Sequence, residues 1–312
     1  MLIFAILCVQ NNQMITPPYL KKGDRIAIIS PARKISREEV EPAIRMFASW
    51  GLEVVEGEHL YASYNQFAGS DEERQFDFQQ MLDDSSIRAI ICSRGGYGTV
   101  RIIDRLDFTR FLQCPKWIVG FSDVTVLHSH IHRHYGVETL HAIMPVNFKD
   151  KSNGSPSLDS LKKALFGRKL AYHSPAEGYF RKGSCKGPLV GGNLSILFSL
   201  TNTSSDISTN GKILFLEDLD EYLYHIDRMM MNLRRSGKLE GLAGLIIGGM
   251  SRMHDNEIPF VKTANEIIAE AVEDYPYPVC YNFPAGHLDD NRALILGREV
   301  TLEIGDEVKL FF

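Results

Sequence analysis

The sequence has few cysteines, and those it has follow no pattern. Five cysteines are scattered through 312 residues, and no two of them form a Cys-x-x-Cys pair. An odd, unpatterned set excludes a zinc ribbon and a disulfide framework. A reducing compartment is the simpler interpretation, so we predict a cytoplasmic protein. A periplasmic protein that carries free thiols is the alternative.

Long apolar runs and an excess of positive charge are also lacking. No apolar run approaches the roughly 18 residues of a membrane-spanning helix. Lys and Arg number 34 against 39 Asp and Glu, so the net charge is −5, whereas a nucleic-acid binder normally has a basic face. We therefore predict no membrane and no nucleic-acid partner. The length and the hydrophobic content of 44% favour a globular chain of two domains or one large one.

Residues 1–9 are apolar but lack the positively charged region with which a signal peptide begins. No convincing cleavage or lipidation site follows them. Two interpretations remain: a weak signal peptide, or an over-extended start with the true initiator at Met14. The poor match to a signal peptide favours the second interpretation.

Apolar runs and helix-start patterns alternate through the first half of the sequence. The predicted strands cover residues 25–30, 52–55, 87–92 and 117–121. The predicted helices cover residues 36–51, 71–82 and 123–135, and the first opens with Ser36-Arg37-Glu38-Glu39. Such alternation predicts an α/β fold, in which helices cover both faces of a parallel sheet.

The second half of the sequence is richer in strands. Apolar runs predict strands at 212–216, 242–247 and 278–283, and residues 299–312 predict a β-hairpin around Gly305-Asp306. Residues 151–185 are linker-like, with a short helix at 158–166 and several Gly and Pro residues. We predict an N-terminal domain at 15–150, a linker at 151–185 and a C-terminal domain at 186–312.

Two features at predicted strand ends are suited to chemistry. Ser122 lies between a strand and a helix, where helix amides favour developing negative charge. The same position suits a plain helix N-cap, and Gly-Phe-Ser-Asp-Val is not the Gly-x-Ser-x-Gly elbow of other hydrolases. The loop 94–98, Arg-Gly-Gly-Tyr-Gly, can hold an anion on its amides or serve only as a tight turn. It lacks the glycine spacing of nucleotide-binding loops.

Histidines and one carboxylate are the remaining candidates. His128, His130, His132, His134 and His141 suggest a metal site, but the i, i+4 pairs among them project from different helix faces. That geometry favours a partly solvated helix over a metal site. Glu217 ends an apolar strand, where a carboxylate can orient a histidine. His287 follows Gly286 in a loop and suits general-base work near neutral pH. A polar loop position accounts for either residue as well.

Taken in order, these segments resemble the LD-carboxypeptidase family, serine peptidases that also include the microcin C immunity proteins. The segments that carry the resemblance are residues 22–32, 94–98, 120–123, 191–195, 216–218, 226–229 and 286–287. No single segment is decisive, but the ordered set is specific. The resemblance implies an α/β protein with a parallel-sheet N-terminal domain of the Rossmann or flavodoxin type and a strand-rich C-terminal domain.

The resemblance also implies a Ser–His–Glu triad in a cleft between the domains. Ser122 matches the nucleophile, Glu217 the orienting acid and His287 the base, without metal or cofactor. The amides of Gly96, or of Gly95, and of Asp123 would form the oxyanion hole. The expected substrate contacts are Arg94, Tyr97 and Arg228. The implied substrate is a murein tetrapeptide that loses its terminal D-alanine in cell-wall recycling, and family members are often dimers.

Three alternatives stay open. One is hydrolysis of a peptidyl or aminoacyl adenylate, which needs an aromatic platform for the nucleobase. Trp50 and Trp117 both lie in the first half, which disfavours such a platform, although Tyr222 or Tyr224 could stack on a base. The second is a non-catalytic ligand-binding module, and the third a metalloenzyme that uses the histidine cluster.

Overall fold

The computed structural model describes residues 14–149, 151 and 154–312, so the two interpretations of residues 1–9 concern a segment outside the described residues. The strands are β1 (Arg25–Ile29), β2 (Glu53–Glu56), β3 (Ile87–Cys92), β4 (Trp117–Val119), β5 (Thr139–His141), β6 (Ala171–Pro175), β7 (Gly183–Asn193), β8 (Ile213–Leu219), β9 (Gly244–Ser251), β10 (Val279–Cys280), β11 (Leu294–Leu296), β12 (Glu299–Ile304) and β13 (Glu307–Phe311). The helices are α1 (Arg37–Ser49), α2 (Asp71–Asp83), α3 (Thr99–Ile102), α4 (Thr109–Gln113), α5 (Thr125–His134), α6 (Pro156–Leu165), α7 (Leu194–Leu200), α8 (Leu223–Arg235) and α9 (Ala264–Ala271).

The first sheet contains the strands predicted for the first half. Strands β1 to β5 are parallel and lie in the order β2-β1-β3-β4-β5. This is the flavodoxin-like order, which confirms the predicted α/β class. Because β1 and β3 are neighbours that lead away in opposite directions across the sheet, their carboxyl ends mark its topological switch point.

The helices that precede β2 and β3 start at capping boxes. Ser36 accepts a hydrogen bond from the amide of Glu39, and the Glu39 carboxylate accepts one from the amide of Ser36. Ser70 and Glu73 make the same pair of bonds at the start of α2. Each box gives partners to two amides that a helix leaves unpaired at its N-terminus. Both predicted helices are present.

The second sheet combines parallel and antiparallel pairing. Its order is β10-β9-β8-β7-β12-β13-β6, with β7 to β10 parallel and the remaining pairs antiparallel. The predicted hairpin is present as β12 and β13, which pair from Ile304↔Val308 to Thr301↔Phe311. The second half is therefore strand-rich, as its sequence predicts.

Two strands pair across the bounds predicted for the domains. Strand β11 leaves the second half and pairs antiparallel with β5, so that it forms an edge of the first sheet. Residues 151–185, predicted as a linker, supply helix α6 and strand β6, which closes the edge of the second sheet beside β13. A local pattern predicts that a strand forms, but not which distant strand it pairs with.

One apolar cluster runs through both halves of the chain. It includes Ile28 and Val119 from the first sheet and Phe215 and Leu302 from the second. Trp50 and Trp117 belong to it and are 5% and 1% exposed. The two sheets are thus joined by continuous packing, in addition to strand β11, which the second half contributes to the first sheet. Among the described residues, no helix is long and apolar enough to cross a membrane.

Candidate active site

Ser122 occupies a constrained turn between β4 and α5. A 3₁₀ turn over Ser122–Val124 leads directly into the helix. The backbone of Ser122 has φ = +64°, a left-handed conformation that costs a non-glycine residue about 1–3 kcal/mol. Phe121 is the N-cap of the turn, and no side chain caps it. The N-cap interpretation of Ser122 is therefore wrong, because its half-buried side chain does not serve that purpose.

The glycine-rich loop after β3 lies directly against Ser122. A Cβ added to Gly95 would stand 2.8 Å from the Cβ and 3.0 Å from the Oγ of Ser122. The same point is 3.3 Å from the backbone nitrogen of Asp123. Only glycine permits this approach, because any side chain would displace the serine. The loop thus lies against both the Ser122 side chain and the backbone amide of Asp123.

Glu217 and His287 form a close pair at the carboxyl edge of the second sheet. Oε2 of Glu217 accepts hydrogen bonds from His287 Nδ1 at 2.6 Å and from the His287 amide at 3.1 Å. Glu217 is fully buried, whereas the His287 side chain is 15% exposed. Gly286 makes the pair possible, because a Cβ there would lie 2.7 Å from the Cβ of Glu217. The backbone oxygen of His287 accepts a hydrogen bond from Ser251 Oγ at 2.7 Å.

A register shift in β8 accounts for two consecutive buried carboxylates. Pairing with β9 slips between Leu216 and Asp218, and such an irregularity re-aims side chains that would otherwise alternate between faces. Asp218 accepts hydrogen bonds from Asn193 Nδ2 and from the Ser195 amide, both at 2.9 Å. Asp218 thus anchors the start of α7 while Glu217 reaches His287.

Burial and charge shift the pKa values of this group. Burial lowers the pKa of His287, but the charge of Glu217, its hydrogen bond and the charge of Asp218 outweigh burial and raise it above the usual range. Burial, with the neighbouring charge of Glu217, raises the pKa of Asp218 to about 7. A base with a raised pKa is a stronger proton acceptor, which suits general-base work near neutral pH.

Phe121 links the two halves of the site. Its ring lies 4.8 Å from the His287 ring, measured between centroids, and Ser122 is the next residue. Behind them, the amide of Asn193 donates to Thr125 Oγ1 at 3.0 Å. The carboxyl end of β7 therefore contacts the first turn of α5. The structure brings Glu217, His287 and the Phe121-Ser122 turn to one junction between the sheets.

A buried polar network holds the glycine-rich loop from behind. Asp123 Oδ2 accepts the amide of Thr99 at 2.9 Å, where the loop ends and α3 begins. Arg74 donates to the backbone oxygens of Pro31 at 2.7 Å and Gly98 at 2.9 Å. Asp123 and Arg74 are each 1% exposed. Burial raises the pKa of Asp123, although its hydrogen bond with Thr99 and the charge of Arg74 oppose the rise.

The predicted substrate contacts lie in different places. Arg94 donates to the Lys34 oxygen at 3.2 Å and lies 3.6 Å from a Glu39 oxygen, so its charge already has a partner. Tyr97 is 45% exposed on the glycine-rich loop. Arg228 stacks over Tyr224 at 5.1 Å and lines a surface depression of about 850 Å³ between α7 and α8. None of the predicted triad residues lines that depression.

The histidine cluster contains no metal-ligand set. Among the described residues, no three His, Cys, Asp or Glu side chains stand close enough to hold a metal ion. The helix histidines instead bond to neighbours: His128 to the Gly120 oxygen at 2.9 Å and His130 to Ser205 Oγ at 2.9 Å. His132 contacts Thr139 Oγ1 at 3.0 Å. The partly solvated helix is also a poor description, because His128 and His132 are buried.

Several residues at the site have no role predicted from the sequence. Ser251 bonds to the backbone oxygen of His287, Phe121 packs on the imidazole, and Asn193 bonds to Asp218, the residue after Glu217. Gly192-Asn193 and Asp218 belong to segments that carry the family resemblance. The resemblance therefore marked these residues but assigned them no role. Arg33 lies across Gly96, and its neighbours in sequence give no such indication.

Comparison with known proteins yields matches over most of the chain. Models of the LD-carboxypeptidase N-terminal and C-terminal domains match residues 26–142 and 186–302. A Bacillus subtilis relative named "Probable murein peptide carboxypeptidase" is 32% identical over 298 residues, which cover 93% of this chain and 92% of that protein. Muramoyltetrapeptide carboxypeptidase from Oxalobacter formigenes has a similar crystal structure, with a TM-score of 0.83 at 27% identity over 92% of this chain and 98% of that one.

A further solved structure shares the fold alone. The microcin C7 self immunity protein MccF gives a TM-score of 0.85 at 18% identity, over 96% of this chain and 98% of that chain. Taken with the two-sheet architecture, the comparisons define a peptidase of the α/β class. The chain belongs to the LD-carboxypeptidase family.

Proposed function

We propose that the protein is a serine peptidase that releases the terminal D-alanine from murein tetrapeptides, at the bond that follows the L-centre of diaminopimelate. The observation that carries this proposal is the 2.6 Å hydrogen bond between buried Glu217 and His287, beside the turn that contains Ser122. The names of two relatives support the substrate class, since both are described as acting on murein peptides.

The proposed mechanism starts from the tautomer of His287. Its Nδ1–H donates to the Glu217 carboxylate, so the neutral ring presents Nε2 as a proton acceptor. His287 removes the proton from Ser122 Oγ, which attacks the scissile carbonyl carbon. Glu217 stabilises the imidazolium that results. His287 then gives the proton to the nitrogen of the departing D-alanine, and the acyl group stays on Ser122. Water, activated by the same imidazole, releases the tripeptide.

The oxyanion would be held by backbone amides. We assign the amides of Gly96 and Asp123 as donors, as the family resemblance implies. The Asp123 nitrogen lies 3.3 Å from the point where a Cβ on Gly95 would meet Ser122, which supports its part in the assignment. Amides fixed before the reaction stabilise the charge that develops in the transition state without reorganising. Loss of one such donor typically costs about 100-fold or more in turnover.

The proposal also covers the substrate contacts, the location and the physiological role of the enzyme. Arg94 and Tyr97 flank the two loop glycines, and with Arg228 they are the proposed contacts to a substrate that carries several carboxylates. The chemistry needs no metal or cofactor. We place the enzyme in the cytoplasm, as a homodimer, where it would return the tripeptide to cell-wall synthesis.

The first test is release of D-alanine from purified murein tetrapeptide. Wild type and the control Ser199→Ala, an exposed serine on α7, should release it at equal rates in the presence of a chelator. Ser122→Ala should lower the rate at least about a thousand-fold, because it removes the nucleophile. Release by Ser122→Ala at the wild-type rate would reject Ser122 as nucleophile. Inhibition by the chelator would favour the metal hypothesis.

An exposed aromatic pair favours adenylate hydrolysis as the second candidate function. Tyr222 and Tyr224 are 44% and 38% exposed, with ring centroids 5.7 Å apart, whereas both tryptophans are buried. Stacking of a base on such a ring contributes about 1–3 kcal/mol. An aminoacyl adenylate cleaved faster than the tetrapeptide, with at least about a tenfold loss in Tyr222→Ala or Tyr224→Ala, would replace the murein proposal.

The non-catalytic alternative expects the three candidate residues to lie apart. Glu217 and His287 are instead in hydrogen-bond contact, so that expectation fails for this pair. A wild-type protein that binds murein tetrapeptide but hydrolyses neither substrate would restore the binding-module interpretation.

A further inference from the structure

We propose that Arg33 binds the free carboxylate at the C-terminus of the substrate and thereby selects peptides that end one residue beyond the scissile bond. The proposal rests on the proposed carboxypeptidase function and names the residue that makes the enzyme an exopeptidase. Among the arginines, the family resemblance implies Arg94 and Arg228 as substrate contacts and gives Arg33 no role.

Arg33 lies across the glycine-rich loop. A Cβ added to Gly96 would stand 2.1 Å from Cδ and 2.4 Å from Cγ of Arg33, so the stem of the side chain covers the Cα of Gly96. Gly95, the preceding residue, is the one that packs on Ser122. Arg33 therefore covers Gly96, the residue after the glycine that contacts the proposed nucleophile. The amide assigned to the oxyanion hole belongs to the same residue, Gly96.

The Arg33 guanidinium is exposed and has no partner among the described residues. Several nearby cations have partners: Arg94 with Lys34 O and Glu39, Arg37 with Glu56, Arg101 with Asp71, and Lys34 with Ser63 Oγ. An exposed arginine without a carboxylate of its own can form a bidentate pair with a ligand carboxylate. Any of the engaged cations would first have to give up its present partner.

The position also agrees with the topology of the first sheet. Arg33 follows β1 and the glycine-rich loop follows β3, so both border the switch point at which sheets of this order bind ligands. In the substrate, the terminal carboxyl carbon lies only about 2.5 Å from the scissile nitrogen. A cation that recognises it must therefore lie beside the oxyanion hole. Arg228, in the separate depression on α8, does not meet that requirement.

The test compares two substrates on matched variants. The murein tetrapeptide is prepared as the free acid and as its C-terminal carboxamide, and kcat/KM is measured for release of D-alanine or D-alaninamide. The enzymes are wild type, Arg33→Gln, Arg33→Lys and the control Lys34→Gln, which removes the adjacent positive charge. Thermal unfolding of each variant verifies that an altered rate does not reflect an altered fold.

Wild type should prefer the free acid by about 10- to 100-fold, the range expected for a hydrogen-bonded charge pair. Arg33→Gln should lose this preference because its kcat/KM falls on the free acid and stays unchanged on the carboxamide. Arg33→Lys should retain part of the preference, and Lys34→Gln should retain all of it. Full acid preference in Arg33→Gln would overturn the role of Arg33 while leaving the carboxypeptidase function intact. A wild type that releases neither product would overturn both proposals.

Discussion

His287 depends on one carboxylate for both its tautomer and its charge. Glu217 Oε2 receives the imidazole Nδ1–H and the backbone amide of the same residue, so the ring is fixed at two points. Removal of the Glu217 charge should therefore alter both the orientation and the basicity of the His287 ring. Glu217→Gln removes the charge but keeps the size of the side chain, so its effects do not include a loss of packing.

We predict that Glu217→Gln lowers kcat by up to about 10⁴-fold, as loss of the orienting acid does in related triads. The reactive imidazole must be neutral, so kcat/KM falls as pH drops through the raised pKa of His287. Without the charge of Glu217 this acid limb should move to lower pH, because the contribution that raises the pKa is lost. Steady-state kinetics between pH 5 and 9 measure both effects.

The control for this experiment is Asp218→Asn. Asp218 makes the smallest named contribution to the raised pKa of His287, so its acid limb should shift less than that of Glu217→Gln. An acid limb that stays in place in Glu217→Gln would contradict the coupling between the two residues.

Taken singly, Ser122, Glu217 and His287 were weak candidates, and only the family resemblance grouped them as a triad. The structure brings two of them, Glu217 and His287, into hydrogen-bond contact. The support from Ser251 and Asn193 was not predictable, because it depends on contacts between loops that are distant in sequence. The same holds for Arg33, whose significance comes from the glycine that it covers.

At the scale of elements, side chains from other parts of the chain hold the glycine-rich loop in place. The Asp123 carboxylate holds the Thr99 amide, and Arg74 holds the backbone oxygens of Pro31 and Gly98. These bonds fix the end of the loop to the turn that contains Ser122. The side chain of Asp123 is therefore a positioning group, distinct from the amide of the same residue.

We predict that Asp123→Ala lowers kcat about tenfold or more with little change in KM, because a misplaced oxyanion donor weakens the transition state alone. Steady-state kinetics on the tetrapeptide check the split. The control is Asp77→Ala: Asp77 is also buried and accepts a backbone amide, that of His59 at 2.9 Å. The Asp77→Ala variant should be less stable than wild type but should have the same kcat. Equal losses of kcat in both variants would indicate a general effect on folding.

Local patterns predicted most elements and missed their long-range partners. Strand β3 was predicted at its observed bounds, and the hairpin of β12 and β13 followed from its turn. Residues 294–296 lie within the predicted C-terminal domain, yet they pair with β5 of the first sheet. Strand β6 lay in a segment rich in turn residues. Its pairing with β13 forms only in the folded chain.

For the whole molecule, the buried histidines predict a marked sensitivity to acid. Burial lowers the pKa of His128 and His130 to about 4, and those of His132 and His141 well below their usual range. The unfolded chain takes up protons near pH 6.5 while the folded chain does not. Stability should therefore fall as pH decreases from about 6.5 to 4, by up to about 1.4 kcal/mol per pH unit for each histidine.

Asp218 acts in the opposite direction. Its pKa is raised to about 7 in the folded chain, which therefore binds this proton at a higher pH than the unfolded chain does. Its contribution to the change of stability with pH offsets that of one of the four histidines. His130→Gln should reduce the slope of unfolding free energy against pH by up to about 1.4 kcal/mol per unit. His173→Gln, at a side chain 56% exposed, should not change it. Urea unfolding at pH 5, 6 and 7 measures the slopes, and equal slopes in both variants would refute the assignment.

The strand that the second half contributes to the first sheet bears on the order in which the protein is made. The edge of the first sheet beside β5 is completed by residues 294–296, which leave the ribosome long after residues 117–141 have done so. His287 emerges shortly before residues 294–296. A nascent chain therefore carries Ser122, while residues 123–286 are made, without the imidazole that would activate it. Hydrolytic competence, on the proposed mechanism, arrives only after His287 has been made and has reached Glu217.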